Sequence, residues 1–226
     1  MTAIDCSGKN ITSLAGIEYF SNLKTLNCSD NTFLTTLDVT GNTSLTSIDI
    51  SNDTSLTALT CDNGIHIIAG TAAKPLSSIS AAWAYVDDVK AVFFTFNGSV
   101  RAMSTDEKAS ADWSYKGTTT GANSTSDGVY NTDKIASGSP AAQWCRAKGS
   151  AWYLPAINEM SAIYNNRSGL NSALTLAGGT QLGLSSHYWS STELEAYYAY
   201  DFNFYMGRIN TDTKGNTYRV RAVRSL

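Results

Sequence analysis

The sequence predicts an α+β fold in two parts, a short repetitive segment followed by a larger mixed domain. Leu23, Leu34, Leu45 and Leu56 head four similar units spaced eleven residues apart. All five tryptophans lie beyond residue 64, which indicates a separate and larger core there. Hydrophobic residues make up 42% of the chain and charged residues 15%, as expected for a globular protein. We therefore predict two domains, residues 1–66 and residues 67–226.

The repetitive segment has a regular pattern of apolar and amide-bearing side chains. Each unit reads Leu-x-x-Leu/Ile-x-(Cys, Val or Ile), and most end three residues later in Asn or Asp. Apolar positions would stack inside, and the Asn side chains would satisfy backbone groups at the turns. The segment resembles a leucine-rich repeat of 22 residues with two similar halves, which implies a short solenoid. Cys6 and Cys28 would then be buried as small hydrophobic residues.

Composition excludes several classes of partner. The net charge is -3 and no basic run occurs, so we expect no nucleic-acid partner and no binding to anionic membranes. No apolar run approaches the ~20 residues of a membrane span. The first residues resemble neither a signal peptide nor a lipidation signal, so we expect a cytoplasmic protein or a leader already removed. With two histidines and no CxxC motif, we predict no metal site and no cofactor.

The second part begins with strand signals and continues with helix signals. Residues 89–96 and 99–103 read as strands joined by a hairpin at Asn97-Gly98. Ser139-Pro140 predicts the start of a helix that Gly149 closes and that directs Cys145 toward the core. The sequence predicts further helices from the apolar spacing after Pro155 and over residues 171–177. From Tyr188 onward strands return, with turns at Met206-Gly207 and Lys214-Gly215-Asn216.

Five motifs occur in order in this second part. They are Asp127-Gly128-x-x-Asn131-Thr132, Ala141-Ala142-x-x-Cys145, Trp152-Tyr153-Leu154-Pro155-x-x-Asn158-Glu159, Tyr188-Trp189-Ser190-Ser191-Thr192-Glu193 and Val220-Arg221-Ala222-Val223-Arg224. Residues 85–226 thereby resemble a bacterial C-type-lectin-fold family that includes variable proteins diversified by retroelements and many surface proteins. The full prediction is an α+β chain with a leucine-rich-repeat solenoid followed by a C-type-lectin-like domain. The resemblance also implies a solvent-exposed binding face on the last strands and loops.

The predicted binding face is rich in Tyr, Asn, Asp and Thr. Because side chains alternate along a strand, Phe202 and Phe204 would face the core, and Asp201, Asn203 and Tyr205 the opposite side. The resemblance sets framework positions (Trp189, Ala199, Phe202, Phe204, Gly207 and Val220) apart from candidate ligand-binding positions. These candidates are Tyr197, Tyr198, Tyr200, Asp201, Asn203, Tyr205, Asn210, Thr211, Asp212, Thr213, Asn216, Thr217 and Tyr218.

We predict a non-enzymatic adhesin or receptor-binding protein with no catalytic residues. Its partner would be a protein or glycan on another cell or host surface. The protein would be extracellular or on the cell surface, or alternatively on a virion, and no oligomeric state is predicted. Tyr gives large rigid contact area, while Asn and Thr give adaptable hydrogen bonding. The alternative is an invariant carbohydrate-binding or structural module without diversification.

Three other functions are weaker alternatives. An enzyme of the sulfatase-modifying type needs a cysteine pair, and the second part has only Cys145. Ser185-Ser186-His187 are sequence neighbours, which is not how a catalytic triad is recognised, and Glu159 reads as a helix cap. Calcium-dependent sugar binding needs motifs that this sequence lacks, since Trp189 is followed by Ser-Ser-Thr. The repetitive segment offers few aromatic or Arg anchors, so we interpret it as a spacer or adapter.

Overall fold

The computed structural model describes residues 1–62, 64–70, 82–86 and 89–225. These residues cluster into two compact units. Unit 1 contains residues 1–105 and 168–179, and unit 2 contains residues 106–167 and 180–225. This clustering does not test the domain boundary predicted between residues 66 and 67, which stays a prediction. Part of the region around that boundary, residue 63 and residues 71–81, lies outside the described residues.

The strands of unit 1 are short at first and longer later. Seven of them follow the order β1-β2-β4-β6-β7-β8-β9, and β3 pairs with β5. Pairing is parallel from β1 to β7 and antiparallel from β7 to β9. The bounds are β1 Ala3–Asp5, β2 Thr25–Asn27, β3 Thr36–Asp38, β4 Ser47–Asp49, β5 Ala58–Thr60, β6 His66–Ile68, β7 Ala82–Val86, β8 Val89–Phe96 and β9 Ser99–Ser104. A single 3-10 turn covers Ile17–Tyr19.

The fold-class prediction is wrong, because the described chain is mostly β and no separate solenoid is present. The 22-residue interval does recur in the strand register, since Ala3 pairs with Thr25 and Thr25 with Ser47. However, β6 pairs directly with β7, so the parallel strands continue into the antiparallel strands of the same sheet. The leucine spacing therefore predicted which side chains are buried. It carried no information about which strand follows β6, and the leucine-rich-repeat interpretation fails there.

Amide side chains satisfy the turns of unit 1, as the repeat predicted. Asn31 Nδ2 donates to the carbonyl oxygens of Cys28 (2.7 Å) and Cys6 (3.1 Å). Asn42 Nδ2 donates in the same way to the Ile17 carbonyl (2.7 Å). Cys28 is buried as predicted, whereas Cys6 is half-buried. All four cysteines are free.

Unit 2 combines a five-stranded sheet, a two-stranded ladder and helices. The sheet has the order β10-β15-β12-β13-β14, and β11 pairs with β16 in antiparallel fashion. Most of the fourth helix belongs to unit 1. The bounds are β10 Lys108–Asp112, α1 Gly128–Ile135, α2 Pro140–Arg146, β11 Trp152–Tyr153, α3 Ile157–Asn165, α4 Arg167–Leu176, β12 His187–Glu193, β13 Tyr198–Asn203, β14 Arg208–Thr213, β15 Thr217–Val220 and β16 Val223–Ser225.

Local signals located several helices and turns of the chain correctly. The Ser139 hydroxyl accepts from the Ala142 amide (3.2 Å) and caps α2, which confirms the predicted start. Asn97 and Gly98 have φ of 50° and 72°, which the predicted hairpin turn requires. The fourth helix begins at Arg167, earlier than predicted, and α1 was not predicted. Among the described residues, no helix is both long enough and apolar enough to cross a membrane.

Candidate functional site

The predicted ligand-binding residues lie mainly on β13, β14 and β15, and they divide between the two faces of the sheet. Asp201 lies opposite Asn210 in the ladder, and Tyr200 lies opposite Thr211. Because successive side chains of a strand point to opposite faces, these two pairs lie on opposite sides. The network face, as we name it, carries His187, Trp189, Asp201, Asn210, Asp212 and Tyr218. The other face carries Tyr198, Tyr200, Thr211 and Thr213.

A buried carboxylate organises the network face. Asp201 is fully buried, and its Oδ1 lies 2.6 Å from His187 Nδ1. The Asn210 amide donates to the second oxygen, Oδ2, at 3.0 Å. Burial raises the pKa of Asp201 above its ordinary value, although the hydrogen bonds from His187 and Asn210 oppose this shift. Asp201 therefore orients two half-exposed side chains and is itself shielded from solvent.

Tyr218 contacts both the His187 ring, which is paired with Asp201, and a second carboxylate, that of Asp212. Its ring stacks on His187 with a centroid distance of 4.9 Å and contacts the buried Trp189 at 4.8 Å. Its hydroxyl donates to Asp212, and the Asn216 amide donates to the other oxygen of Asp212 at 2.7 Å. Burial and the bond to Asp212 raise the pKa of Tyr218, so the phenol stays protonated and keeps donating.

The two ends of the β13–β14 hairpin carry Tyr197, Tyr198, Asn203 and Tyr205, whereas Thr217 lies on β15 opposite Asp112. Tyr205 is 75% exposed in the connecting turn, whereas Asn203 is buried and accepts from the Met206 amide at 2.9 Å. At the opposite end Tyr197 is 53% exposed and Tyr198 40% exposed. The structure thus places exposed tyrosines at both ends of the hairpin. Asp201 and Asn203, in contrast, are buried.

The framework residues hold this surface in place. Trp189, Ala199, Phe202, Phe204 and Val220 are all buried, and for Phe202 and Phe204 the strand alternation predicted this. Phe202 and Phe204 pack against Tyr164 of α3 with centroid distances of 5.0 and 5.2 Å. The Trp189 indole donates to the Ala111 carbonyl at 3.0 Å. The surface residues therefore project from a packed layer.

Sequence reasoning missed two participants. It considered His187 only as a catalytic base, although the position of His187 two residues before Trp189 on one strand places both on the same face. It considered Lys214 only as a turn residue. Lys214 is fully buried, and its Nζ donates to Glu193 Oε1 at 2.6 Å and to the Thr118 carbonyl at 2.9 Å. No pattern of spacing pointed to this pair, because its two members are 21 residues apart in the chain.

The other candidate residues have structural roles. Glu159 accepts from the Ala156 amide (2.9 Å) and from the Tyr153 hydroxyl (2.7 Å), which confirms its role as a cap. Cys145 is buried, and burial raises the pKa of its thiol. Over the described ranges, no group of three or more His, Cys, Asp or Glu side chains is placed to hold a metal ion. The expectations of no metal and no cofactor stay predictions.

Comparison with known proteins places this chain in a family of surface-related proteins. The chain belongs to the Lcl C-terminal domain family, whose model matches residues 102–224, over half of the chain. This match does not confirm the resemblance to retroelement-diversified C-type-lectin-fold proteins, and the leucine-rich repeat has no support. No curated protein matches the chain.

One similar solved structure is a fimbrial protein from Bacteroides ovatus ATCC 8483, at 18% identity and a TM-score of 0.45. The alignment covers 57% of this chain and 36% of that protein, so this chain spans little more than a third of its length.

Proposed function

We propose that this chain is a surface-associated, adhesin-like protein that binds a ligand through the β12–β15 surface of unit 2. The ligand would be a protein or a glycan on another cell or host surface, and the protein would act at the cell surface or outside the cell. One observation carries the proposal. Large tyrosine side chains stay exposed at both ends of the β13–β14 hairpin, and the hydrogen-bonded polar network lies on one face of the strands between these ends.

The physical argument rests on preorganisation. Binding costs free energy when side chains must be ordered, and prior hydrogen bonding lowers that cost. His187, Asn210 and Tyr218 are already held by Asp201, Asp212 and ring stacking. Tyrosines are enriched among the residues that contribute most to binding at interfaces. A rigid polar centre with exposed aromatic anchors suits recognition better than it suits a deep catalytic pocket.

A non-enzymatic role is part of the proposal. The Cys145 thiol is buried with a raised pKa, and the Glu159 carboxylate is engaged in capping, so neither is available to a substrate. His187 is occupied by Asp201 on one nitrogen and by the Tyr218 ring on one face. A carboxylate bonded to one ring nitrogen fixes the orientation of a histidine, and we assign His187 an orienting role within the recognition surface.

Replacing the exposed anchors tests the proposal. The double variant Tyr198→Ala/Tyr205→Ala should bind at least about thirtyfold more weakly, the effect of losing one strong interface anchor. The readout is binding of the labelled full chain to a printed glycan array and to fixed epithelial cells, with the melting temperature measured in parallel. Tyr130→Ala is the matched control, since Tyr130 lies on α1 and is 45% exposed. Equal binding by both variants, or no binding by the unaltered chain to either probe, would refute the proposal.

We further propose that the exposed members of this surface are diversified between gene copies. This second proposal is supported by a difference in solvent exposure. Candidate positions such as Tyr205 and Thr211 are exposed, whereas most of the framework residues are buried. Asp201 and Asn203 should change least, because they are buried and hydrogen-bonded. Sequencing sibling copies from one genome tests this idea. Substitutions spread evenly between the framework and the surface would contradict it.

A further inference from the structure

The open face of the sheet in unit 1 carries two cross-strand rows of side chains. In each short strand the central residue points inward and is buried or nearly so, while its two neighbours point outward. The strand register fixes the order within each row. The first row is Ala3, Thr25, Ser47, His66 and Trp83, and the second is Asp5, Asn27, Asp49, Ile68, Tyr85 and Lys90.

One end of this face is an aromatic cluster. The His66 and Trp83 rings are stacked with a centroid distance of 3.7 Å and an interplanar angle of 6°. Tyr85 meets both rings edge-on, at 5.2 and 5.8 Å. The Lys90 ammonium lies 5.9 Å from Trp83 and 5.8 Å from Tyr85. All three rings are half-exposed, so the cluster forms part of the surface.

The other end is a groove with small side chains and polar groups. It has a volume of about 400 Å³, and its lining includes Ala3, Thr25 and Ser47. Asp5, Asn27 and Asp49 also line it. Each of these three uses its Oδ1 to accept from a backbone amide two residues later, which fixes the side chain. The groove thus presents a fixed row of carboxylate and amide groups.

We propose that this groove and the aromatic cluster bind a linear, neutral oligosaccharide. Adjacent strands lie about 4.8 Å apart, so the polar row repeats at about that interval, close to the length of one sugar ring. Carboxylates and amides are suited to bonding neighbouring sugar hydroxyls, since they accept or donate two hydrogen bonds at a time. The aromatic rings supply an apolar surface for the C–H face of a terminal sugar.

The charges in the groove favour neutral glycans over acidic ones. Asp5 and Asp49 place two carboxylates in the groove, so sugars bearing carboxylate or sulfate would be repelled. Burial and the nearby Lys90 lower the pKa of His66 below its ordinary value, so its ring is neutral near pH 7. The charged Lys90 lies at the far end of the second row, beyond Tyr85. A neutral chain fits this distribution better than an acidic glycan does.

The test measures binding of the full chain to neutral and acidic hexasaccharides by titration calorimetry. The neutral probes are hexamers of glucose, mannose and N-acetylglucosamine, and the acidic probe is a hexamer of galacturonic acid. At least one neutral hexamer should bind, and Trp83→Ala should weaken it at least about tenfold. Trp144→Ala is the matched control, because Trp144 of unit 2 is also half-exposed with a lysine over its ring (4.2 Å).

A second variant separates loss of the site from loss of the fold. Thr25→Arg fills the groove from an exposed position and should abolish binding while leaving the melting temperature unchanged. The Tyr198→Ala/Tyr205→Ala variant should bind the hexasaccharide normally, so this inference and the proposed function can fail separately. Binding of no neutral hexamer, tighter binding of the acidic probe, or binding unaffected by Trp83→Ala and Thr25→Arg would each overturn the proposal.

Discussion

At the residue scale, the buried pair formed by Glu193 and Lys214 is the most consequential interaction in unit 2. Both side chains are essentially inaccessible, and they are joined at 2.6 Å. Glu193 also accepts from the amides of Thr120 and Gly121, each at 2.9 Å. The Lys214 ammonium lies 4.8 Å from the Trp113 ring centroid. One ion pair therefore ties a long loop to the strands that carry the proposed ligand surface.

Breaking this pair should destabilise the protein strongly. Glu193→Gln leaves the Lys214 charge buried without its counterion, which costs about 3–5 kcal/mol. The measurement is chemical denaturation at pH 7, followed by tryptophan fluorescence. Glu195→Gln, at an exposed glutamate two residues away, is the control. Adding Lys214→Met to Glu193→Gln should restore much of the loss, because no lone charge then remains. If Glu193→Gln matches Glu195→Gln, the pair does not stabilise the fold.

The same pair has a pH signature. Burial works against ionisation of Glu193, but the hydrogen bonds from Lys214, Thr120 and Gly121 outweigh it and lower its pKa below the ordinary 4.5. A carboxyl with a lowered pKa in the folded state stabilises above its unfolded pKa and loses that contribution on acidification. The unaltered protein should therefore have a larger free energy of unfolding than Glu193→Gln. This difference should be complete above pH 4.5 and decrease as the pH falls below that value.

At the element scale, helices and hairpins were the most predictable features. The Ser139-Pro140 start of α2 and the Asn97-Gly98 turn are set by contacts a few residues apart, so a short stretch of sequence contains their cause. The unpredicted α1 also has a local signal, since the Asp127 carboxylate accepts from the Tyr130 amide at 2.9 Å. This helix exposes Val129 and Tyr130 and buries the polar residues Asn131 and Thr132, so no clear apolar face marked it in the sequence.

For the strands of the candidate site, the sequence predicted which side chains point inward. It did not predict which strands pair with one another. Alternation placed Phe202 and Phe204 inward, which the structure confirms. The same alternation placed Asp201 on the opposite side, yet Asp201 is buried because His187 and Asn210 lie beside it. Those neighbours belong to other strands, and cross-strand register is set by contacts far apart in sequence. A single strand pattern contains no such information.

At the scale of the whole molecule, the error in fold class has the same origin. The spacing of leucines described the buried positions of unit 1, because burial of Leu26 or Ile48 depends on the local strand. The step from the parallel strands to the antiparallel hairpin at β7 depends on pairing between His66 and Trp83. That contact joins two segments which share no repeat. Composition and periodicity thus described the core, while the topology needed the structure.

The free cysteines allow a whole-molecule test of the packing. Cys28, Cys61 and Cys145 are buried, and burial raises their pKa values, for Cys61 to about 12. Only the half-buried Cys6 is open to reagent, and burial raises its pKa too. Because the thiolate is the reactive form, a disulfide reagent at pH 8 should modify Cys6 slowly and the other thiols only after unfolding.

Titration with the reagent in native buffer and in guanidinium, without reductant, measures both states. All four thiols should react once the chain is unfolded, and Cys6→Ser should remove the native reaction. Fewer than four thiols in guanidinium would mean that a disulfide had formed. Rapid native reaction at Cys145 would mean that the core around α2 is open. The first result would contradict the four free thiols of the structure, and the second would contradict the packing around α2 in unit 2.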